Sequence, residues 1–441
     1  MNKKIAGFLA AAFVGASIAM AGSPCSNDKD LKKIVDEGPY VQTSQKGVTL
    51  SGYVDAGYTY NFSGRGENIA TSNRFGGDAN NRGDFNLNAF KLVLEKALTD
   101  ANELQAGFRA DVMFGEDAAF LGQNAGGSDS VFLEQAYVQF RLPYGNGIDF
   151  KVGKMVTPLG YEVIERPVNM NITYGQLFST LPLWHTGVMA AYKFNDSFDM
   201  QFGVVNGNNA DNGVGADAED NGMFIATANY TVPGGNANWY NGVLYGVNGD
   251  GRGAFDDSPL VIYDTWMNWV PKFAKDKLLL GANFQLGNGY VATDTTNGVP
   301  NRVTAFSPTN FGNLGVAGGQ DDSDTTTWVG AAAYAKYQFT DIFSLAGRLD
   351  WLHNDDSNMF GNANNGTDPS FPNTEADGSE DMWSTTITAG FDLIENMMLR
   401  TEYRLDWGSD LMQTNFNGTG AAGRNSSGPL HTAAVQVVYS F

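Results

Sequence analysis

The chain carries a single cysteine, Cys25, and only three histidines, His185, His353 and His431. One cysteine cannot form an internal disulfide, so no cross-linked framework holds the fold. The histidines sit on separate segments with no Cys/His cluster, which gives no metal centre of the zinc type. Nor does any serine stand with a histidine and an orienting partner, as nucleophilic catalysis requires. The expectation is a protein that is not an enzyme and uses no cofactor and no metal. Basic residues are also scarce, with 27 Lys and Arg against 48 Asp and Glu and a formal charge of −21. That excludes nucleic acid as a partner, because its recognition needs a basic surface. Beyond the N-terminal stretch there is no run of 18 apolar residues, so no membrane-spanning helix is expected.

The N-terminus has a different character. Lys3 and Lys4 precede an apolar run from Ile5 to Ala19, followed by Ala19-Met20-Ala21. This is the pattern of a secretory signal peptide over 1–21. Residues 22–47 then form a short periplasmic segment, and 48–441 the main body. Ser23 and Pro24 fit badly with a lipidated Cys25.

Alternation with a period of two dominates the remainder. In VTLSGYVDAGYTYNF (48–62) one parity holds Val48, Leu50, Gly52, Val54, Ala56, Tyr58, Tyr60 and Phe62, the other Thr49, Ser51, Tyr53, Asp55, Gly57, Thr59 and Asn61. Strands send successive side chains to opposite faces, so one face is apolar and the other polar. MMLRTEYRLDW (397–407) is sharper, with Arg400, Glu402, Arg404 and Asp406 sharing one parity. Sixteen such segments are predicted: 48–62, 85–98, 103–114, 131–142, 148–155, 184–194, 199–207, 222–232, 238–247, 259–271, 277–288, 326–339, 343–354, 382–393, 397–408 and 430–441. Most match the roughly 9–11 residues that a tilted strand needs to cross a bilayer.

Short and long connections alternate strictly along the chain, as in outer-membrane barrels. Trp184, Trp351, Trp383 and Trp407 stand on the apolar parity beside long loops; Phe194, Phe339, Phe343 and Phe391 share that parity at the short turns. Two aromatic girdles are expected from this sorting. A soluble β-sandwich also alternates, but explains neither the strand lengths nor the loop asymmetry. The expected fold is all-β: a closed antiparallel transmembrane barrel of about sixteen strands, with short periplasmic turns and long extracellular loops.

LSGYVDAGYTYNF, LEQAYVQFRLPYGNG, VGKMVTPLGYEVIERP, HTGV and FGVVNGN resemble a family of outer-membrane β-barrel porins, the OmpL-like group. The likeness is strongest over 48–62 and 131–208, with the terminal strand agreeing. It implies a pore in the bacterial outer membrane and supplies no catalytic residues.

In such a barrel the polar parity lines the lumen. It holds Lys91, Arg109, Arg141, Lys151, Lys193, Lys336, Arg348, Arg400 and Arg404, balanced by Asp55, Glu95, Asp111, Asp149, Asp264, Asp350, Asp392, Glu402 and Asp406. The wall is thus near neutral and the excess acidity lies in the loops, where it would gather cations. Among those loops, DNGVGADAED (211–220) and DDSD (321–324) lack EF-hand spacing and are weak calcium candidates. The connection 156–183 is unusually apolar, yet carries Glu162, Glu165 and Arg166. Folded inward, it would set Glu162 and Glu165 against Arg109, Arg141, Arg348, Arg400 or Arg404 across a constriction, the kind of opposed charge that sets pore selectivity. Folded outward, it would be a rim lid or a subunit contact.

Phe441 and Tyr439 close the chain on the lipid-facing parity, where they resemble the signal read by the outer-membrane assembly machinery. Further expected partners are outer-membrane lipid, lipopolysaccharide, small hydrophilic solutes and ions, and further copies of the chain in a homotrimer. The function expected is passive diffusion through a water-filled channel; the alternative is a surface-exposed adhesin or structural barrel of little conductance.

Overall fold

The computed structural model describes residues 47–62, 83–122, 131–206, 222–247, 259–290, 325–354, 380–408 and 429–441. The signal-peptide, Cys25 and 22–47 expectations, except for Gly47, lie outside them, as do both calcium candidates. Sixteen strands are present among the described residues. The first eight are β1 (Thr49–Asn61), β2 (Gly83–Lys96), β3 (Gln105–Phe114), β4 (Val131–Leu142), β5 (Ile148–Val156), β6 (Trp184–Asn195), β7 (Phe198–Val205) and β8 (Met223–Thr231). The second eight are β9 (Ala237–Val247), β10 (Pro259–Trp269), β11 (Leu278–Tyr290), β12 (Thr325–Gln338), β13 (Phe343–Asn354), β14 (Glu380–Ile394), β15 (Met397–Gly408) and β16 (Leu430–Ser440).

Each strand pairs antiparallel with its sequence neighbours, and β16 returns to β1 to close the barrel. Closure satisfies every backbone group that would otherwise face lipid. At the seam Tyr53 opposes Ser440, and Gly52 and Phe441 exchange both backbone hydrogen bonds at 3.0 Å. Inside, a chain of side chains crosses the same seam. Arg400 Nε donates to Gln436 Oε1 (2.6 Å), Gln436 Nε2 to Asp55 Oδ2 (2.5 Å), and Asn88 Nδ2 to Asp55 Oδ1 (2.9 Å).

Burial follows the sequence parity. On β16 Val435, Val437 and Tyr439 are exposed, whereas Thr432, Gln436 and Val438 are buried. A barrel buries its inner face, so polar residues are inside and apolar ones outside. Trp351, Trp383 and Trp407 form a ladder across β13–β15, with ring centroids 5.9 and 6.3 Å apart. Phe339, Phe343 and Phe391 form the opposite girdle at 5.4 and 5.2 Å. Trp184 departs from the expected girdle. It is fully buried, 5.2 Å from the ring of Phe132 and under the ammonium of Lys154. The loop that feeds β6 draws it into the interior with Leu183. A short helix after β3, α1 (Glu116–Gly122), has no counterpart in the periodicity reading.

Candidate functional site: the lumen and its inward loop

Residues 157–183, between β5 and β6, lie within the barrel, and none of them is exposed. An apolar segment needs apolar partners, and the inner wall provides them. Tyr161 packs on Tyr334 (4.2 Å) and edge-on to Trp266 (5.8 Å), and its hydroxyl donates to Asn268 Oδ1 at 2.7 Å. Tyr240 donates to the Pro158 carbonyl at 2.7 Å. Inward-facing glycines make room for the loop. A Cβ on Gly242 would stand 2.3 Å from Leu159, one on Gly281 2.2 Å from the Tyr161 hydroxyl, and one on Gly330 2.9 Å from Leu177.

The charged wall fastens the same loop. Arg348 Nη1 donates to Glu162 Oε1 (2.7 Å) and to the Thr173 carbonyl (2.6 Å), while its Nε meets Asp350 at 2.8 Å. The other Glu162 oxygen accepts from the Gly175 amide at 2.6 Å. Arg400 donates to the carbonyls of Asn169 (2.8 Å) and Arg166 (2.9 Å). Arg404 donates to the Tyr174 carbonyl and pairs with Asp406 at 2.7 Å. Glu402 accepts from the amides of Ile172 and Thr173. Three guanidiniums thus meet the carbonyls of one loop, a task suited to a rigid fork of donors. All three are at most 3% exposed, so they are anchors and not open lumen charges.

A second anchor lies on β2. Lys91 Nζ is 2.6 Å from Glu165, 2.7 Å from Glu134 and 3.2 Å from Asp111. The three carboxylates bring oxygens within 4.8 Å of one another, and Lys91 is the cation among them. Beside it, Arg166 pairs with Asp117 of α1 at 3.0 Å and covers the Tyr174 ring at 3.7 Å. Lys91 and Asp117 are the partners that sequence reasoning missed as contacts of this loop, and Glu134 backs Lys91. Glu134 sits at the irregularity where β3 and β4 shift register, so it and Gln135 both face inward. No alternation pattern predicts that.

Glu162 therefore meets Arg348, and Glu165 meets Lys91 rather than an arginine. Arg109 pairs with Asp111 (2.8 Å) and shares with both glutamates the lining of a small cavity of about 50 Å³. Arg141 is remote from the loop. It pairs with Asp149 at 2.6 Å and donates to the Thr99 carbonyl in a short turn. The two glutamates belong to the loop, outside the membrane-crossing strands, and differ in character. Burial pushes the Glu162 carboxyl up, outweighing Arg348. Burial acts upward on Glu165 too, but the adjacent Lys91 charge prevails and holds it below the usual carboxylate range.

A larger cavity, about 790 Å³, opens below the loop at the short-turn end of β11–β16 and is roofed by Pro167–Met170.

The family model described as "Putative beta-barrel porin-2, OmpL-like" matches residues 47–441. Among solved structures, an anion-selective porin from Comamonas acidovorans is similar with a TM-score of 0.55 and 11% identity, over 89% of this chain and 99% of that one. The outer-membrane channel DcaP of Acinetobacter baumannii gives 0.52 and 12%, over 91% and 100%. OprB of Pseudomonas putida gives 0.52 and 13%, over 90% and 94%. At these identities the likeness is one of fold. No curated protein sequence matches the chain.

Proposed function

Because the chain belongs to the OmpL-like family of β-barrel porins and is a barrel of the bacterial outer membrane, we propose that it passes small hydrophilic solutes and ions passively. No chemical step is part of this function. The observation that carries it is a closed sixteen-strand barrel with a polar inner face, narrowed by an inward loop. In this reading loop 157–183 is the constriction. Glu162, Glu165, Arg166, Arg348, Arg400 and Arg404 hold its shape, and Arg109 borders what remains open. Arg141 serves the short-turn rim.

One observation favours a second reading, a surface-exposed barrel of little conductance. The loop is fastened on both sides of the lumen, and the cavity beside it is only about 50 Å³. Reconstitution into a planar bilayer separates the two. Steady single-channel steps are expected, and a barrel that inserts without conducting would overturn the porin reading. Neutralising Glu162 and Glu165 together is expected to shift the reversal potential in a salt gradient; an unchanged potential would remove them from the filter. Phe441 and Tyr439, exposed at the end of β16, support recognition by the assembly machinery, with lipopolysaccharide and a homotrimer completing the setting.

A further inference from the structure

The cavity of about 790 Å³ below the loop has a wall unlike the rest of the lumen. Higher on the same strands, the inward positions are polar: Asn283 and Gln285 on β11, Arg348 and Asp350 on β13, Glu402 and Arg404 on β15. At cavity level the inward positions are mixed: Leu279, Ala346, Met398 and Val438 stand beside Lys336, Gln338, Ser344, Thr388 and Asp392, and Met170 hangs from the loop above them. A solvated wall gains nothing from the apolar members, and a concave wall that combines apolar surface with placed polar groups is the pattern of ligand sites. The volume also lies within the roughly 300–1,000 Å³ typical of such sites. The charged groups are Lys277, Lys336 and Arg400, against Asp392 and Glu395, among neutral polar neighbours. Even with Arg400 held by the loop carbonyls the lining is not acidic, whereas the chain as a whole carries −21.

We propose that this vestibule is a binding site for small amphiphilic carboxylates, whose apolar body lies on Leu279, Met398 and Met170 and whose charged head meets Lys336. The loop residues Pro167–Met170 roof the site, so a ligand reaches it from the short-turn side. Arg400 is bound to the carbonyls of Asn169 and Arg166. Occupancy of the vestibule therefore touches the loop at its anchor. This site goes beyond passive diffusion and does not depend on conduction.

The test is saturation-transfer NMR on the full barrel in lipid nanodiscs, with empty nanodiscs subtracted and hexanoate, acetate and hexylammonium as probes. Hexanoate is expected to bind about tenfold more tightly than either of the others. Lys336→Gln and Met398→Gln are each expected to weaken hexanoate several-fold, with barrel folding checked by the heat-dependent gel mobility of each variant. Equal binding of hexylammonium, equal binding of acetate, or full binding by a folded Lys336→Gln barrel would overturn the proposal. A barrel that binds hexanoate yet never conducts would sink the diffusion function and leave this site standing.

Discussion

Arg348, Arg400 and Arg404 show how a lumen charge can be put to a structural use. A guanidinium facing open water would be a selectivity element, but here each is buried and donates to loop carbonyls. Arg404 illustrates the cost of changing one. Its loss leaves Asp406 buried at the lumen wall, and breaking a buried pair costs roughly 3–5 kcal/mol. Arg404→Gln is expected to lower stability on that order in urea unfolding from lipid vesicles. The two glutamates should behave differently from each other. Glu165 has a depressed pKa, so its contribution is present above the ordinary carboxylate pKa and is lost as pH falls through the folded value. Glu162 has a raised pKa, so its contribution is present below the ordinary value and is lost as pH rises through the folded one. At neutral pH, Glu165→Gln should therefore destabilise more than Glu162→Gln, and the gap should close on acidification. Urea midpoints at pH 7 and pH 4 check this; equal midpoints at pH 7 would refute it.

At the scale of elements, the strands were far more legible than the loop they enclose. Period-two alternation with opposite chemistry on the two faces is imposed by lipid on one side and water on the other, so MMLRTEYRLDW states its own register. Loop 157–183 has no period, and its apolar content said only that it needs a partner. The partner is specified by residues that look unremarkable in sequence: Gly242, Gly281 and Gly330, spaced over three strands, and Asp117 on a helix of seven residues. Trp184 misled for the related reason that a strand's first residue answers to the loop before it. Filling a socket tests the docking. Gly281→Ala drives a methyl into the Tyr161 hydroxyl, an overpacking that costs roughly 1–3 kcal/mol. The loop is expected to loosen and become cleavable by chymotrypsin after Tyr161, Tyr174 or Phe178, while the barrel keeps its heat-resistant mobility on gels. A variant as resistant as the parent would mean that the socket does not hold the loop.

For the whole molecule the decisive contact is the one with the greatest sequence separation. Every other strand pair forms between chain neighbours, but β1 and β16 must meet across nearly the entire chain. Pairings of such separation form slowly, because loop-closure entropy precedes their reward. The seam is reinforced on both faces. Inside, the Arg400–Gln436–Asp55–Asn88 chain crosses it. At its end, Phe441 exchanges two backbone bonds with Gly52, and its ring lies where a Cβ on Gly52 would come within 2.9 Å. Phe441 faces outward and lines neither cavity. Its deletion removes part of the seam and the exposed terminal aromatic while leaving the lumen wall intact. The expected result is a lower yield of folded barrel in the outer membrane, with unchanged conductance for each channel that does assemble. Yield is read from heat-dependent mobility of membrane fractions, and conductance from single-channel records of the same preparation. Normal yield would show that closure does not need the terminal ring; altered unit conductance would show that Phe441 shapes the lumen after all.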